Sequence, residues 1–243
     1  MKYSVVLDAL RSYVVPGGRP PNVFLFPEGG MREIYDCIVS NRLRACLELG
    51  SGFGATSCVM AAAAAETGGK VTTVDLAFHI PVNAAVLKAH LGIGDELETI
   101  ADPLGYNWYL ADLITKQTVN GTCQPLFDFC FLDGAHEWQP DALAVCLAVK
   151  LLKPGGWFVL DDLNFNLRSM ATWKESHGHL SDRELDTYQI AMVWNLVVRQ
   201  HPDLSGFKET EGGRIGWAQK SLPLRPEASP PPPRTLLSRL IGR

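Results

Sequence analysis

No two of the six cysteines stand at C-x-x-C spacing, and none sits in a Cys/His cluster. Zinc and a disulfide framework are therefore not expected, and the cytoplasm is the expected location. Basic charge is not in excess either. With 22 Lys and Arg against 26 Asp and Glu, the net charge is −4, and a nucleic-acid partner is not expected. The longest small-apolar run, Cys58 to Ala65, is far too short to span a bilayer, so no transmembrane segment is expected. The opening MKYSVVLDAL meets Asp8 before a signal-like apolar core develops. What is present is core-forming: 47% hydrophobic and 20% charged residues over 243 positions. That length suits one domain over residues 1–220, followed by a Pro-rich tail at 221–243 that contains PEASPPPP.

The chain is organised around Ala45 to Ala64, ACLELGSGFGATSCVMAAAA. A short apolar run of strand length leads into Gly50, Gly52 and Gly54, and an alanine-rich segment of helical composition follows. Strand, glycine turn and helix are how an open α/β sheet builds a ligand site beyond its strand ends. Glycine permits the sharp turn and close backbone approach, and the helix start offers unpaired N–H groups. A dinucleotide fingerprint places its third glycine one position later than here. The pattern Glu48-x-Gly50-x-Gly52-x-Gly54 instead resembles the first motif of class I S-adenosylmethionine (SAM) methyltransferases. The resemblance implies that Gly50, Ser51, Gly52 and Gly54 lie against the methionine half of SAM, and that Glu48 faces its amino group.

Further units follow at regular spacing. Lys70 to Val74 reads as a β-branched strand with Asp75 at its end, about where an α/β nucleoside site carries a ribose-binding acid. Pro81 to Leu91 reads as a helix, and Leu97 to Ala101 as a strand leaving at Asp102. In the resembled family that strand end borders the adenine, so Asp102 is a candidate cofactor contact; a turn aspartate is the alternative. Asn107 to Gln117 looks helical and Asn120-Gly121 marks a turn. Phe127 to Leu132 is a buried strand ending in Asp133-Gly134-Ala135-His136, and Pro140 to Leu152 an apolar helix closed by KPGG. Trp157 to Leu160 then ends in Asp161-Asp162. The run LLKPGGWFVLDD extends the resemblance over roughly residues 27 to 166. It implies a Rossmann-like, doubly wound α/β fold whose mostly parallel seven-stranded sheet ends in a C-terminal antiparallel hairpin.

The acids at these strand ends resemble the metal-dependent small-molecule O-methyltransferases, both the catechol type and the macrolide and aminocoumarin sugar type. On that resemblance Asp133, Asp161 and Asp162 would hold magnesium or another hard divalent ion, which suits oxygen donors. The ion would position the acceptor and lower the pKa of its hydroxyl. Asp133 also falls among the cofactor contacts. His136 stands where catechol-type enzymes carry a lysine base, and imidazole could take the hydroxyl proton; substrate binding or capping is the alternative. His177 and His179 form an H-x-H pair that could bind metal, but a solvated lid is the favoured reading. Asn164, Asn166, Arg168, Trp173 and Trp138 are candidates for covering an acceptor.

Ser181 with Glu184 forms a capping box ahead of a helix expected over 182–200, and Phe207 to Ala218 suggests a hairpin turned at Gly212-Gly213. The expected function is SAM-dependent methyl transfer to a hydroxyl of a small molecule, sugar-containing or catechol-like. A metal-independent methyltransferase, a non-catalytic SAM-binding protein and a nicotinamide-dependent oxidoreductase remain as alternatives.

Overall fold

The computed structural model describes residues 2–17 and 22–222. The tail beyond Leu222, including PEASPPPP and TLLSRLIGR, lies outside the described residues. Two helices, α1 (Tyr3–Ser12) and α2 (Glu28–Ser40), precede the sheet. Then come β1 (Ala45–Leu49), α3 (Ala55–Thr67), β2 (Lys70–Leu76), α4 (Ala84–His90), β3 (Leu97–Asp102) and α5 (Tyr106–Gln117). A small hairpin, β4 (Thr118–Val119) and β5 (Thr122–Cys123), turns where expected. Asn120 and Gly121 both take positive φ there, the signature of a type I′ turn. Next are β6 (Phe127–Leu132), α6 (Trp138–Leu151) and β7 (Leu152–Leu160). Short helices α7 (Trp173–His177), α8 (Asp182–Asp186) and α9 (Gln189–Met192) lead to the closing hairpin, β8 (Leu204–Thr210) and β9 (Ile215–Lys220).

The sheet has seven strands in the order β3-β2-β1-β6-β7-β9-β8. The first five are parallel; β9 pairs antiparallel with β7 and with β8. Alternation along each strand divides the core between the two faces. Cys46, Phe129, Phe131 and Val159 join the core that holds α1, α2 and α3. Leu47, Leu49, Cys130, Leu132, Phe158 and Leu160 join the core that holds α6. Both faces are covered, which is why these strands read as almost unbroken apolar runs. Residues 55 to 64 of α3 are all buried, and their alanines let the helix lie close to its neighbours.

β1 and β6 are adjacent although far apart in sequence, so the chain order reverses between them, and ligands bind at such a switch point. A ladder of backbone bonds aligns the strand exits here. Gly50 N donates to the Val74 carbonyl at 2.9 Å, Asp133 N to Leu49 at 2.9 Å, and Asp161 N to Leu132 at 3.1 Å. The glycine loop, Asp75, Asp133 and Asp161 therefore lie along one edge.

The helix expected over 182–200 is broken. The capping box forms as predicted, but α8 ends at Asp186 and Thr187 is extended. Gln189 is buried, accepting from Trp138 N at 2.7 Å and donating to the Glu184 carbonyl at 2.9 Å. That tertiary demand overrides the local helical pattern, and the chain then runs through α9 into a π-helical turn at Val193–Val198. The expected KPGG turn is carried inside β7, with Gly155 at φ 80° beside a shift of register.

Candidate functional site

The strand exits border a cavity of about 680 Å³. Its walls include Gly50, Gly52, Asp75, Leu76, His79, Tyr106, Asp133, His136, Asp162, Phe165 and Arg214. That volume is within the range of small-molecule sites.

Gly50, Gly52 and Gly54 all adopt positive φ, at 86°, 50° and 89°. Their roles differ. A Cβ on Gly54 would lie 2.7 Å from the Ala84 Cα, so this glycine packs against α4 and does not line the cavity. At Gly52 a Cβ would meet only the Leu25 side chain, at 3.2 Å, which leaves the backbone open toward a ligand. Asp75 organises the loop. Its Oδ2 accepts from Ser51 N and Ser51 Oγ, both at 3.0 Å, and from Gly52 N at 3.2 Å. Its Oδ1 accepts from Leu76 N at 2.7 Å and lies 3.0 Å from His79 Nδ1. Two carboxylate oxygens offer about four lone-pair sites, so a ribose and this network compete for the same acceptor.

Of the eight expected cofactor contacts, Gly50, Gly52, Asp75 and Asp133 line the cavity. Ser51 is buried and acts through Asp75. Asp102 closes a turn, its Oδ1 accepting from Leu104 N at 2.8 Å, while Leu104, Gly105 and Tyr106 just beyond it reach the wall. Glu48 departs most from expectation. It does not face the cavity; it is buried, accepting from Ser57 Oγ and from Thr73 Oγ1. Its Oε1 has no hydrogen-bond partner among the described residues. Burial pushes this carboxyl up to about 8, against the pull of both hydroxyls. Ser57 on α3 and Thr73 on β2 supply the hydroxyls of that pairing.

At the β6 and β7 exits three acids meet two cations. His136 Nε2 lies 3.2 Å from Asp133 Oδ1 and 3.0 Å from Asp162 Oδ2. His136 and Asp162 both take φ of 61°, an uncommon backbone for these residues, and such strain gathers at functional sites. Tyr106 and Asp141 brace the connecting loop: Tyr106 OH donates to Asp141 and accepts from Ala135 N at 3.1 Å. Burial alone would lower the pKa of His136, but the two carboxylates outweigh it and lift the imidazole to about 11. It is an imidazolium at neutral pH, not the ready base that its ordinary pKa suggests.

Asp161 was an expected ion ligand, and the expected trio does not assemble around a common centre. Both Asp161 oxygens accept from Arg214, at 2.9 and 2.7 Å. The three side chains whose ligand atoms lie within 4.8 Å of one another are Asp133, His136 and Asp162, and His136 already bridges the other two. Asp133, His136 and Asp162 are thus the described group close enough to hold an ion, and Asp161 stands outside it. Arg214 lies 53 residues beyond Asp161 and was not among the expected site residues.

The segment after β7 contributes Phe165 and Met170 to the cavity. Asn164 is exposed and does not line this cavity, and the other candidates there are engaged elsewhere. Asn166 caps a 3₁₀ turn, and Arg168 pairs with Asp182 and Asp186 and lies over the Trp173 ring. Trp138 lines a separate cavity of about 300 Å³ with Arg183 and Met192. His177 lies 3.8 Å from Glu137, and His177 and His179 do not enter a metal-binding group among the described residues. No helix among the described residues is long and apolar enough to cross a membrane.

Comparison with known proteins agrees with this architecture. Residues 47–163 match the sequence model of a family described as a methyltransferase domain. No curated protein matches the chain. Among solved structures, the O-methyltransferase TomG from Streptomyces achromogenes, involved in tomaymycin synthesis and bound to SAM, is similar at 17% identity and a TM-score of 0.60, over 91% of each chain. An O-methyltransferase from Bacillus cereus in complex with SAH is 19% identical, with a TM-score of 0.59 over 90% of each chain. The SAH-bound methyltransferase PaMTH1 from Podospora anserina gives a TM-score of 0.62 at 13% identity, over 89% of this chain and 88% of its own. The glycine loop stands at the switch point of a seven-stranded sheet, the methyltransferase-domain match runs from β1 to the β7 exit, and the chain shares the fold of SAM-dependent methyltransferases.

Proposed function

We propose that the chain transfers a methyl group from SAM to a hydroxyl of a small molecule, sugar-containing or catechol-like. The observation that carries this is a single cavity bordered by the open glycine loop, Asp75 and the Asp133–His136–Asp162 cluster. SAM supplies an activated methyl group on a sulfonium. Gly52 allows its close approach, and Asp75 fixes the loop on which it rests. Transfer to oxygen is supported by the descriptions of TomG and the Bacillus cereus protein as O-methyltransferases, and a small acceptor by the part TomG takes in tomaymycin synthesis.

The acceptor must lose a proton as its new O–C bond forms and the S–C bond breaks, leaving S-adenosylhomocysteine (SAH). Among the oxygens of Asp133, Asp161 and Asp162, only Asp133 Oδ2 lacks a partner among the described residues. Asp133 therefore takes the proton, and His136 holds Asp133 and Asp162 in place as a charged hydrogen-bond donor. Calorimetry with SAH, and methyl transfer from labelled SAM to a panel of hydroxylated acceptors, test the reading. Absence of SAH binding, or preference for NAD, would remove its basis. Binding without turnover on any acceptor would favour a non-catalytic SAM-binding role.

A further inference from the structure

Arg214 is gripped from several sides. Its Nε and Nη2 hold Asp161, whose side chain is fully buried, and Nη2 also donates to the Leu25 carbonyl at 3.1 Å. The same nitrogen lies 3.1 Å from Asp162 Oδ1, and the guanidinium carbon stands 5.9 Å from the centre of the Phe26 ring. A planar guanidinium clamping a carboxylate along one edge is a fixed arrangement, and its charge does not titrate away in the working range. Nη1 has no partner among the described residues, and Arg214 forms part of the cavity wall.

We infer that Arg214 is the resident cation of the acceptor site, taking the place of a divalent ion between Asp161 and Asp162 and meeting the acceptor oxygen with its guanidinium. The inference rests on the methyl-transfer reading above. Two of the three carboxylates that an ion would gather are already neutralised from the C-terminal hairpin. An ion between Asp161 and Asp162 would have to break a partly buried, bidentate pair and leave the arginine without its partner, which is unfavourable. The substitution has a chemical consequence. A guanidinium stabilises an oxyanion by charge and hydrogen bonds, but it does not coordinate a hydroxyl and acidify it as a metal does. The fitting acceptor is then one whose hydroxyl is acidic already, a phenol or enol with a pKa near that of tyrosine, about 10, rather than a sugar alcohol.

The test is a calorimetric titration of Mn²⁺ into the full chain saturated with SAH. The wild type should show no saturable binding up to millimolar Mn²⁺. Arg214→Gln frees Asp161 and should gain affinity by about tenfold or more. Combining it with Asp161→Asn keeps hydrogen-bonding groups in place without the charges and should remove that gain. Micromolar Mn²⁺ binding by the wild type, lost in Asp133→Asn, would place an ion at Asp133, His136 and Asp162 and overturn the inference. So would an Arg214→Gln protein that melts normally, binds SAH and gains no Mn²⁺ affinity. If Arg214→Gln does not fold, the wild-type titration decides alone. The SAH heat is read first and separately, so failure of the methyltransferase reading is not confused with failure of this one.

Discussion

A Cβ on Gly50 would stand 1.8 Å from the carbonyl oxygen of Asp133. The first turn of the glycine loop is thus packed against the backbone that carries the acceptor-side acid. Gly50→Ala must push the two strand exits apart and also hold alanine at φ 86°, a left-handed backbone costing about 1–2 kcal/mol by itself. Melting temperature and SAH affinity should fall together. Gly52→Val differs, since only Leu25 stands near its Cβ. It should abolish SAH binding with a smaller loss of stability, set by its φ of 50°. Calorimetry and thermal melting on both variants separate a structural glycine from a ligand-facing one.

Asp75 joins β2 to the loop through Ser51 and Gly52. Asp75→Ala should weaken SAH binding by about 1.5–3 kcal/mol, the scale of hydrogen bonds to a charged group. Asp75→Asn keeps an acceptor for part of the network and should lose less. Equal SAH affinity in the wild type and both variants would remove Asp75 from the site.

Glu48 carries a stability signature of its own. Burial raises its folded pKa to about 8 from an ordinary value of 4.5. The folded state then keeps a proton that the unfolded chain releases above 4.5, so this group's contribution to stability is greatest below 4.5 and is lost as pH rises toward about 8. Glu48→Gln has no such proton to lose. Its melting temperature should lie close to that of the wild type at about pH 5 and above it at about pH 8. Parallel melting curves for the two proteins across that window would mean that Glu48 is ionised when folded.

The strands were legible because each is a short apolar run bounded by glycine, proline or an acid, and their exits could be placed on one edge by α/β logic. Asp75 and Asp133 were legible for the same reason. What each acid does was not. Glu48 sits two residues from Gly50, and its adjacency suggested a ligand contact, but strand alternation turns its side chain in beneath α3. Asp161 and Asp162 are neighbours, yet one side chain is fully buried and the other shares the cavity wall. Arg214 carried no local signal, since only the antiparallel pairing of β9 with β7 brings it beside Asp161. The expected helix over 182–200 failed for a comparable reason, a long-range bond from Gln189 to the start of α6.

The assignment of the proton to Asp133 makes the last prediction. His136 is lifted to about 11, so it stays protonated over the usual assay range and cannot serve as the base there. If it were the base, kcat/KM would climb about tenfold per pH unit from about pH 6 to about pH 9 as the small neutral fraction grew. The expected wild-type profile instead lacks that sustained tenfold climb with a catechol-like acceptor, and excess chelator should not change it. Asp133→Asn removes the free carboxylate and should lower turnover by about 10²–10⁴-fold, the worth of a general base. SAH affinity should change far less. His136→Gln keeps a donor toward the carboxylates without its charge, and should reduce turnover less than Asp133→Asn without introducing a steep climb with pH. A steep rise with pH in the wild type that disappears in His136→Gln would return the base role to the histidine and leave Asp133 as its orienting partner.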